Sequence, residues 1–348
     1  MITVDIFTII LINVVLLILL FVLFFYLILR KLRDHKTGLR KKQIKQKLKA
    51  EIYSYLESGD DLQISRGLKD NDSYEVIEEL LEEYIEVASD DEVKKRVVHI
   101  SNKYLEAYIR SKLNHRRWSL RMNALYRIED FHLIRFVDEL WNKYQLGVDE
   151  IEEQYQILRT LGSLQSQRLS SFLLYEKHDL PYFLYKEILR RYDEEEFSQF
   201  INAFAVISTP LKTATIELMG EKRDIRFVSF LEKCLRDSNL EIRLKALKGL
   251  AQIGLVSDYN LVQQFAASTI FQERLLFTKL ASALKKDRDK PTLVRLLSDE
   301  NWWVRNGAGE ALATYEDGEM ILSHVLETSE DPFARDMAKQ WIGGTVNE

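Results

Sequence analysis

The chain opens with one unbroken apolar run and then settles into a pattern in which apolar residues recur every three or four positions. From Ile6 to Leu29 only Thr8, Asn13 and Tyr26 carry a polar side-chain group. At about 1.5 Å per residue this stretch makes a helix roughly 36 Å long, enough to cross a hydrocarbon core of about 30 Å with some tilt. It is too long for a cleaved leader, its basic flank lies on the wrong side, and no small-residue cleavage site follows. Residues 6–29 therefore predict a retained transmembrane helix. Further on, Ile77, Leu80, Leu81, Tyr84 and Ala88 form one helical stripe, and Val93, Val97, Ile100, Tyr104 and Tyr108 a second. Residues 50–112 read as a helical cap or degenerate repeats, with a polar loop over 58–73.

Past residue 112 the pattern repeats. Leu235, Asp237, Arg243, Ala246 and Leu250 recur at Leu297, Asp299, Arg305, Ala308 and Leu312, an offset of 62 residues. Halfway between, Ala266, Arg274, Phe277 and Ala281 hold the matching places. Arg335, Ala338 and Ile342 close the chain with another copy, and Leu113, Arg121, Ala124 and Ile128 form an early one. Copies around Gln154, Tyr185 and Lys212 have irregular spacing. A period near 31 with two helices per unit predicts an all-α solenoid over 113–342, because each helix pair leaves an apolar face that only the next pair can cover. The turns Asp237-Ser238-Asn239 and Asp299-Glu300-Asn301 carry side chains suited to capping the second helix. Gly307-Ala308-Gly309 lies inside a repeat helix and reads as a packing feature.

The motif D-x-x-x-x-[VI]-R-x-x-A-x-x-x-[LA], matched at 237–250 and 299–312, resembles HEAT repeats in the short form shared with phycobilisome-lyase-type proteins. The resemblance implies stacked helix pairs in which Asp237, Arg243, Asp299 and Arg305 are structural and link neighbouring units. It implies a protein-binding face lined by the second helix of each pair, where the exposed polar positions would be Asn123, Lys245, Lys248, Lys279 and Glu310. It also admits an enzyme of the lyase type.

Charge sharpens the picture. The 348 residues hold 49 bases and 54 acids. Residues 30–49 hold ten of the bases and one acid, Asp34, whereas the five residues before the span hold no base. That asymmetry predicts an N-terminus outside and the remainder in the cytoplasm, with a basic segment drawn to anionic lipid. Residues 50–348 keep 39 bases against 52 acids, a formal charge of −13. An acidic body argues against nucleic acid as partner. Glu75 to Glu92 is rich in acids and reads as a solvated helix face. The single cysteine, Cys234, fits a reducing compartment and reads as a small apolar residue.

No motif for catalysis, cofactor or metal stands out. The six histidines are scattered, there is no cysteine pair, and Asp193-Glu194-Glu195-Glu196 suits a helix start. Of Trp302 and Trp303, one is expected to pack and the other to be exposed. His115-Arg116-Arg117-Trp118 reads as a surface turn with its Trp buried. The expected function is a membrane-anchored scaffold that holds a protein partner at the inner face of the cell membrane. An envelope or polysaccharide synthesis assembly is one client such a scaffold would be expected to hold. A fragment beginning near Ala50 is expected to fold without the anchor.

Overall fold

The structure is a computed structural model and describes residues 6–59, 70–85, 90–176 and 179–343. Every regular element among them is helical. In chain order these are α1 (Ile6–Ser58), α2 (Asn71–Ile85), α3 (Asp91–Ile100), α4 (Glu106–Leu113), α5 (Trp118–Asp130), α6 (Val137–Leu146), α7 (Ile151–Ser163), α8 (Gln167–Tyr175), α9 (Tyr182–Arg191) and α10 (Glu194–Asn202). They continue with α11 (Thr209–Lys222), α12 (Val228–Cys234), α13 (Leu240–Ile253), α14 (Tyr259–Gln263), α15 (Phe271–Leu284), α16 (Lys290–Leu296), α17 (Trp302–Ala313), α18 (Gly318–Thr328) and α19 (Pro332–Gly343). The chain divides into two compact units, Met1–Thr160 and Leu161–Glu348. Most of the expected loop over 58–73, and Ala88, lie outside the described residues.

In the first unit, α1 is one continuous helix of 53 residues, roughly 80 Å long. By length and composition it is long and apolar enough to cross a membrane, and its apolar stretch from Leu11 onward is unburied. The same helix then becomes core. Leu48, Ile52 and Leu56, four residues apart, are buried where α1 packs on α2 and α3. The boundary expected between residues 49 and 50 thus falls inside a helix, and a fragment begun at Ala50 would lose Leu48.

Basic and acidic runs also meet in this unit. On α1, Arg40 pairs with Asp70, Lys41 with Glu75, and Lys45 with Glu79 and Glu83 at 2.7 and 2.6 Å. From the other side, Arg127 of α5 binds Glu78 and Glu82 at 2.7 and 2.6 Å. The expected solvated acidic face is therefore refined over α2: Glu79 and Glu83 are exposed, and its acids pair with cations of two helices. The expected basic segment is likewise divided, since three of its bases are engaged within the protein. These pairs are partly exposed, so each contributes at most about 1 kcal/mol; their matched four-residue spacing fixes the register of α1 on α2.

A second correction concerns the stripe from Val93 to Tyr108. Val93, Val97, Ile100 and Tyr108 are buried, but Leu105 takes the place expected for Tyr104, which is half-exposed. A π-helical turn at Ser101–Leu105 is the cause. It spends one extra residue per turn and shifts the apolar phase.

In the second unit, α11, α13, α15, α17 and α19 pack side by side in sequence order. The first four begin at residues 209, 240, 271 and 302, a spacing of 31, and α19 begins at 332. A second layer packs on them, α12 on α13, α16 on α17, and α18 on α17 and α19. The weak copies around Tyr185 and Lys212 are helices α9 and α11 of this row. Small residues set the approach of the helices. A Cβ on Gly220 of α11 would lie 2.6 Å from the Cα of Gly249 on α13, so neither backbone could keep its place. On α17, Gly307 faces Thr278 of α15 and Gly309 faces Trp341 of α19, one glycine for each neighbour.

Candidate protein-binding face

The turns before the second helices are built by their own side chains. Asn239 and Asn301 accept hydrogen bonds from the N–H groups of Glu241 and Trp303, each at 2.9 Å, and cap α13 and α17. Asp237 and Asp299 accept from the N–H groups of Asn239 and Asn301 at 2.8 and 2.9 Å. The repeated arginine then ties the turn to the helix after it. Arg243 donates to the carbonyls of Asp237 and Ser238 at 2.9 and 3.0 Å, and through Nε to Glu273 at 2.7 Å. Arg274 donates to the Ser268 carbonyl at 2.8 Å and grips Asp299 with two bonds of 2.7 and 2.8 Å. In the first unit, Arg121 does the same with His115, Arg116 and the buried Glu153.

Arg305 departs from this series. It keeps the carbonyls of Asp299 and Glu300, at 2.8 and 3.2 Å. No carboxylate takes its Nε, which is buried without a partner; the ring of Phe333 lies 4.6 Å from its guanidinium instead. Asp237 also differs from Asp299. No arginine grips it, because Lys212 stands one period before Arg243 and reaches the Ala205 carbonyl at 3.3 Å.

The expected binding residues separate into two groups. Asn123 is exposed on α5 of the first unit. In the second unit Lys248, Lys279 and Glu310 are exposed and stand 31 residues apart at one register position of α13, α15 and α17. Lys245 is not a free contact residue. It pairs with Glu217 of α11 and donates to the Tyr182 hydroxyl of α9 at 3.1 Å. Lys186 joins the same carboxylate at 2.9 Å and Lys248 at 3.4 Å. Burial alone would raise Glu217, but hydrogen bonds from Lys245, Tyr182 and Lys186 outweigh it and hold its carboxyl well below the usual range. The expected binding face of this unit therefore begins as an ion-pair network over α9, α11 and α13 that reaches as far as Lys248, and Lys279 and Glu310 lie beyond it.

Both Trp302 and Trp303 are exposed, which corrects the expectation that one packs. Their rings meet edge to face at 4.8 Å. The buried stripe of α17 starts one residue later, at Val304. Trp118, expected to be buried, is exposed at the equivalent start of α5. The signal was present in the sequence: aromatic residues stand ahead of the first position of the helical stripe.

Burial pushes the Cys234 thiol up to about 12, so it is not a thiolate at neutral pH. Asp193 caps α10 by accepting from the Glu196 N–H at 2.8 Å, as its position predicted. No group of three potential metal ligands occurs among the described residues.

One buried carboxyl stands apart. Asp289, before α16, is 1% exposed, its Oδ2 has no hydrogen-bond partner, and burial raises it to about 6. A raised carboxyl holds its proton longer folded than unfolded. Its contribution to stability is complete below about pH 4, falls as pH rises to about 6, and stays lost above that. Asp289→Asn is expected to stabilise the protein at pH 7.5, by up to about 3 kcal/mol, and to have no such effect at pH 4. Urea unfolding at the two pH values checks this; an equal change at both would assign the effect to packing.

No family model matches the chain, and no curated protein matches it. Among solved structures, one engineered protein aligns at 12% identity over 85% of this chain and 98% of its own, with a TM-score of 0.35. A second engineered protein aligns at 15% identity over 76% and 94%, with a TM-score of 0.18. A designed armadillo repeat protein aligns at 14% identity over 85% and 98%, with a TM-score of 0.17. These scores are too low to carry an argument, and the repeat description rests on the chain's own spacing and packing.

Proposed function

We propose that this protein is a membrane-anchored scaffold of HEAT-like helical repeats that holds a protein partner at the cytoplasmic face of the cell membrane. The observation that carries the reading is the double character of α1. Its apolar stretch is unburied from Leu11 onward, and its last turns are core. An anchor built into the same helix as the core of the first unit couples that unit to the bilayer without a flexible joint. Arg30, Lys31, Arg33 and Lys36 are exposed in the turns just after the apolar run, which suits the inner leaflet. HEAT-like character is supported by arginines that bind their own turn and the next repeat. The repeated, solvent-facing second helices supply the contact surface.

Topology is tested by thiol labelling. Cys234 is buried and cannot serve as reporter, so a Cys234→Ser background is used. Thr3→Cys should react with an impermeant maleimide on intact cells, and Glu310→Cys only after permeabilisation. Reaction of Glu310→Cys on intact cells would overturn the orientation. Exchange of residues 6–29 for an unrelated single span should preserve function, because tethering mainly raises local concentration. Full function from a soluble chain begun at Gly38 would remove the need for an anchor.

A further inference from the structure

We propose that the turn between α4 and α5, His115-Arg116-Arg117-Trp118, lies on the anionic leaflet that α1 crosses and gives the first unit a second contact with the membrane; this rests on the anchor reading and goes beyond it. Helix order inside the unit puts the turn on the membrane side. α2 runs parallel to α1, since Lys41 pairs with Glu75 and Lys45 with Glu79 and Glu83. α3 and α4, joined through the π turn, run the opposite way. Arg96 donates to the carbonyls of Leu56 and Glu57 at 2.8 Å each, at the far end of α1. Lys112 lies 3.9 Å from both Glu75 and Glu78, level with Lys41 and Lys45. The chain therefore leaves α4 heading toward the apolar run. Lys41 is twelve residues past Leu29, about 18 Å along a helix, and the turn starts beyond Lys112 on that side. The headgroup layer takes up about 5–8 Å of this distance. An apolar run of about 36 Å tilts in a core of about 30 Å, and tilt toward α4 and α5 closes the rest.

The side chains suit that surface. Arg116 and Arg117 are exposed and form no ion pair among the described residues, and Trp118 is 43% exposed. From inside, Arg121 donates to the carbonyls of His115 and Arg116 at 3.1 Å each, and His115 accepts from the Arg117 N–H at 3.0 Å. The turn is thus held by its own residues while its outer side chains face solvent. Bases beside a Trp are what an anionic membrane interface favours. Nearby acids are engaged: Asp70 and Asp72 by Arg40, and Glu139 by Arg110 and Asn114. Asp149 and Glu150 of the following turn are exposed near Arg121, and an anionic leaflet repels them, so the contact is confined to the α4–α5 turn. Three turns of the second unit, Asp237-Ser238-Asn239, Ser268-Thr269-Ile270 and Asp299-Glu300-Asn301, are held by the same arginine bonds and carry no base. Of these four turns, only the one in the unit that bears the anchor carries cations.

The test uses the full chain in nanodiscs of lipid brominated close to the headgroup, either zwitterionic throughout or with phosphatidylglycerol added. Trp118 emission is taken as the difference from Trp118→Phe. Bromine should quench it more strongly in anionic discs than in zwitterionic ones. Arg116→Gln with Arg117→Gln should lower the equilibrium constant for contact by about tenfold and remove that difference. Lys94→Gln with Lys95→Gln, the same change of charge at the far end of α3, should leave it intact. Circular dichroism confirms that each variant keeps its helix content. Equal quenching in both lipids, or quenching that survives the loss of both arginines, would overturn the proposal. An acidic protein segment as occupant is told apart by Ser119→Cys on the Cys234→Ser background. Protection from maleimide in native membranes but not in anionic nanodiscs would make a protein the occupant and overturn the proposal equally. Retention in the discs reports on α1 by itself. A chain that does not enter them refutes the anchor reading, and a chain that enters with Trp118 unquenched refutes only the second contact.

Discussion

Ile52→Asp is expected to detach the last turns of α1 from the first unit and to abolish its cooperative unfolding. Ile52 has no exposed surface and sits between buried Leu48 and Leu56. The substitution removes an apolar side chain and places a carboxylate where no cation is paired with position 52. Loss of the side chain alone costs about 2–5 kcal/mol, and an unpaired buried charge adds to it. A cost of that size is a large part of the stability of an ordinary domain, about 5–15 kcal/mol. Hydrogen exchange should show loss of protection across α2 and α3. Lys42→Asp, at an exposed position of the same helix, should leave protection unchanged. Chains begun at Gly38 and at Ala50 make the same comparison by truncation. The longer one keeps Leu48 and the cations Arg40, Lys41 and Lys45, and should be the more stable. If Ile52→Asp unfolded at the wild-type midpoint, α1 would be an anchor and nothing more.

Arg274→Ala should cost far more than Arg305→Ala. Both arginines occupy the same place in the repeat, and both are buried. They differ in what they would leave behind. Without Arg274, the Asp299 carboxylate, whose side chain is 7% exposed, loses both of its guanidinium bonds and keeps the Asn301 N–H alone. Removal of one partner of a buried pair costs about 3–5 kcal/mol. Without Arg305, two turn carbonyls and the Phe333 ring lose a contact, and no carboxylate is stranded; about 1–2 kcal/mol is expected. Arg243→Ala should fall between, because Glu273 loses one guanidinium bond where Asp299 loses two. Arg274→Ala with Asp299→Asn should recover part of the loss. Urea unfolding of the variants decides the order. Equal costs for Arg274 and Arg305 would mean that the guanidinium acts through its own turn and not across repeats.

Much of this architecture was legible in the residues. A period of 31 predicts stacked helix pairs, because a chain that leaves one apolar face per pair must cover it with the next. The capping turns at Asn239 and Asn301, the glycines inside α17 and the helix start at Asp193 follow from local chemistry that acts within a few residues. An apolar run of 24 residues followed by bases fixes a helix of membrane-spanning length whatever surrounds it.

What the residues could not decide depends on contacts distant in sequence. The acids of α2 read as solvated because helical periodicity is blind to charge brought in from elsewhere; Lys41, Lys45 and Arg127 lie 34, 34 and 49 residues from the carboxylates they bind. Lys245 read as a free surface cation for the same reason, since its partners Glu217 and Tyr182 belong to other helices of the row. The π turn at Ser101–Leu105 moved burial from Tyr104 to Leu105 because only packing reveals a change in residues per turn. Sequence by itself determined that the chain is helical and that its helices recur at a period of 31, since those depend on spacing along one chain. Tertiary structure decided which charges are spent inside the protein and which rings remain in solvent, because both depend on what the neighbouring helix places opposite them.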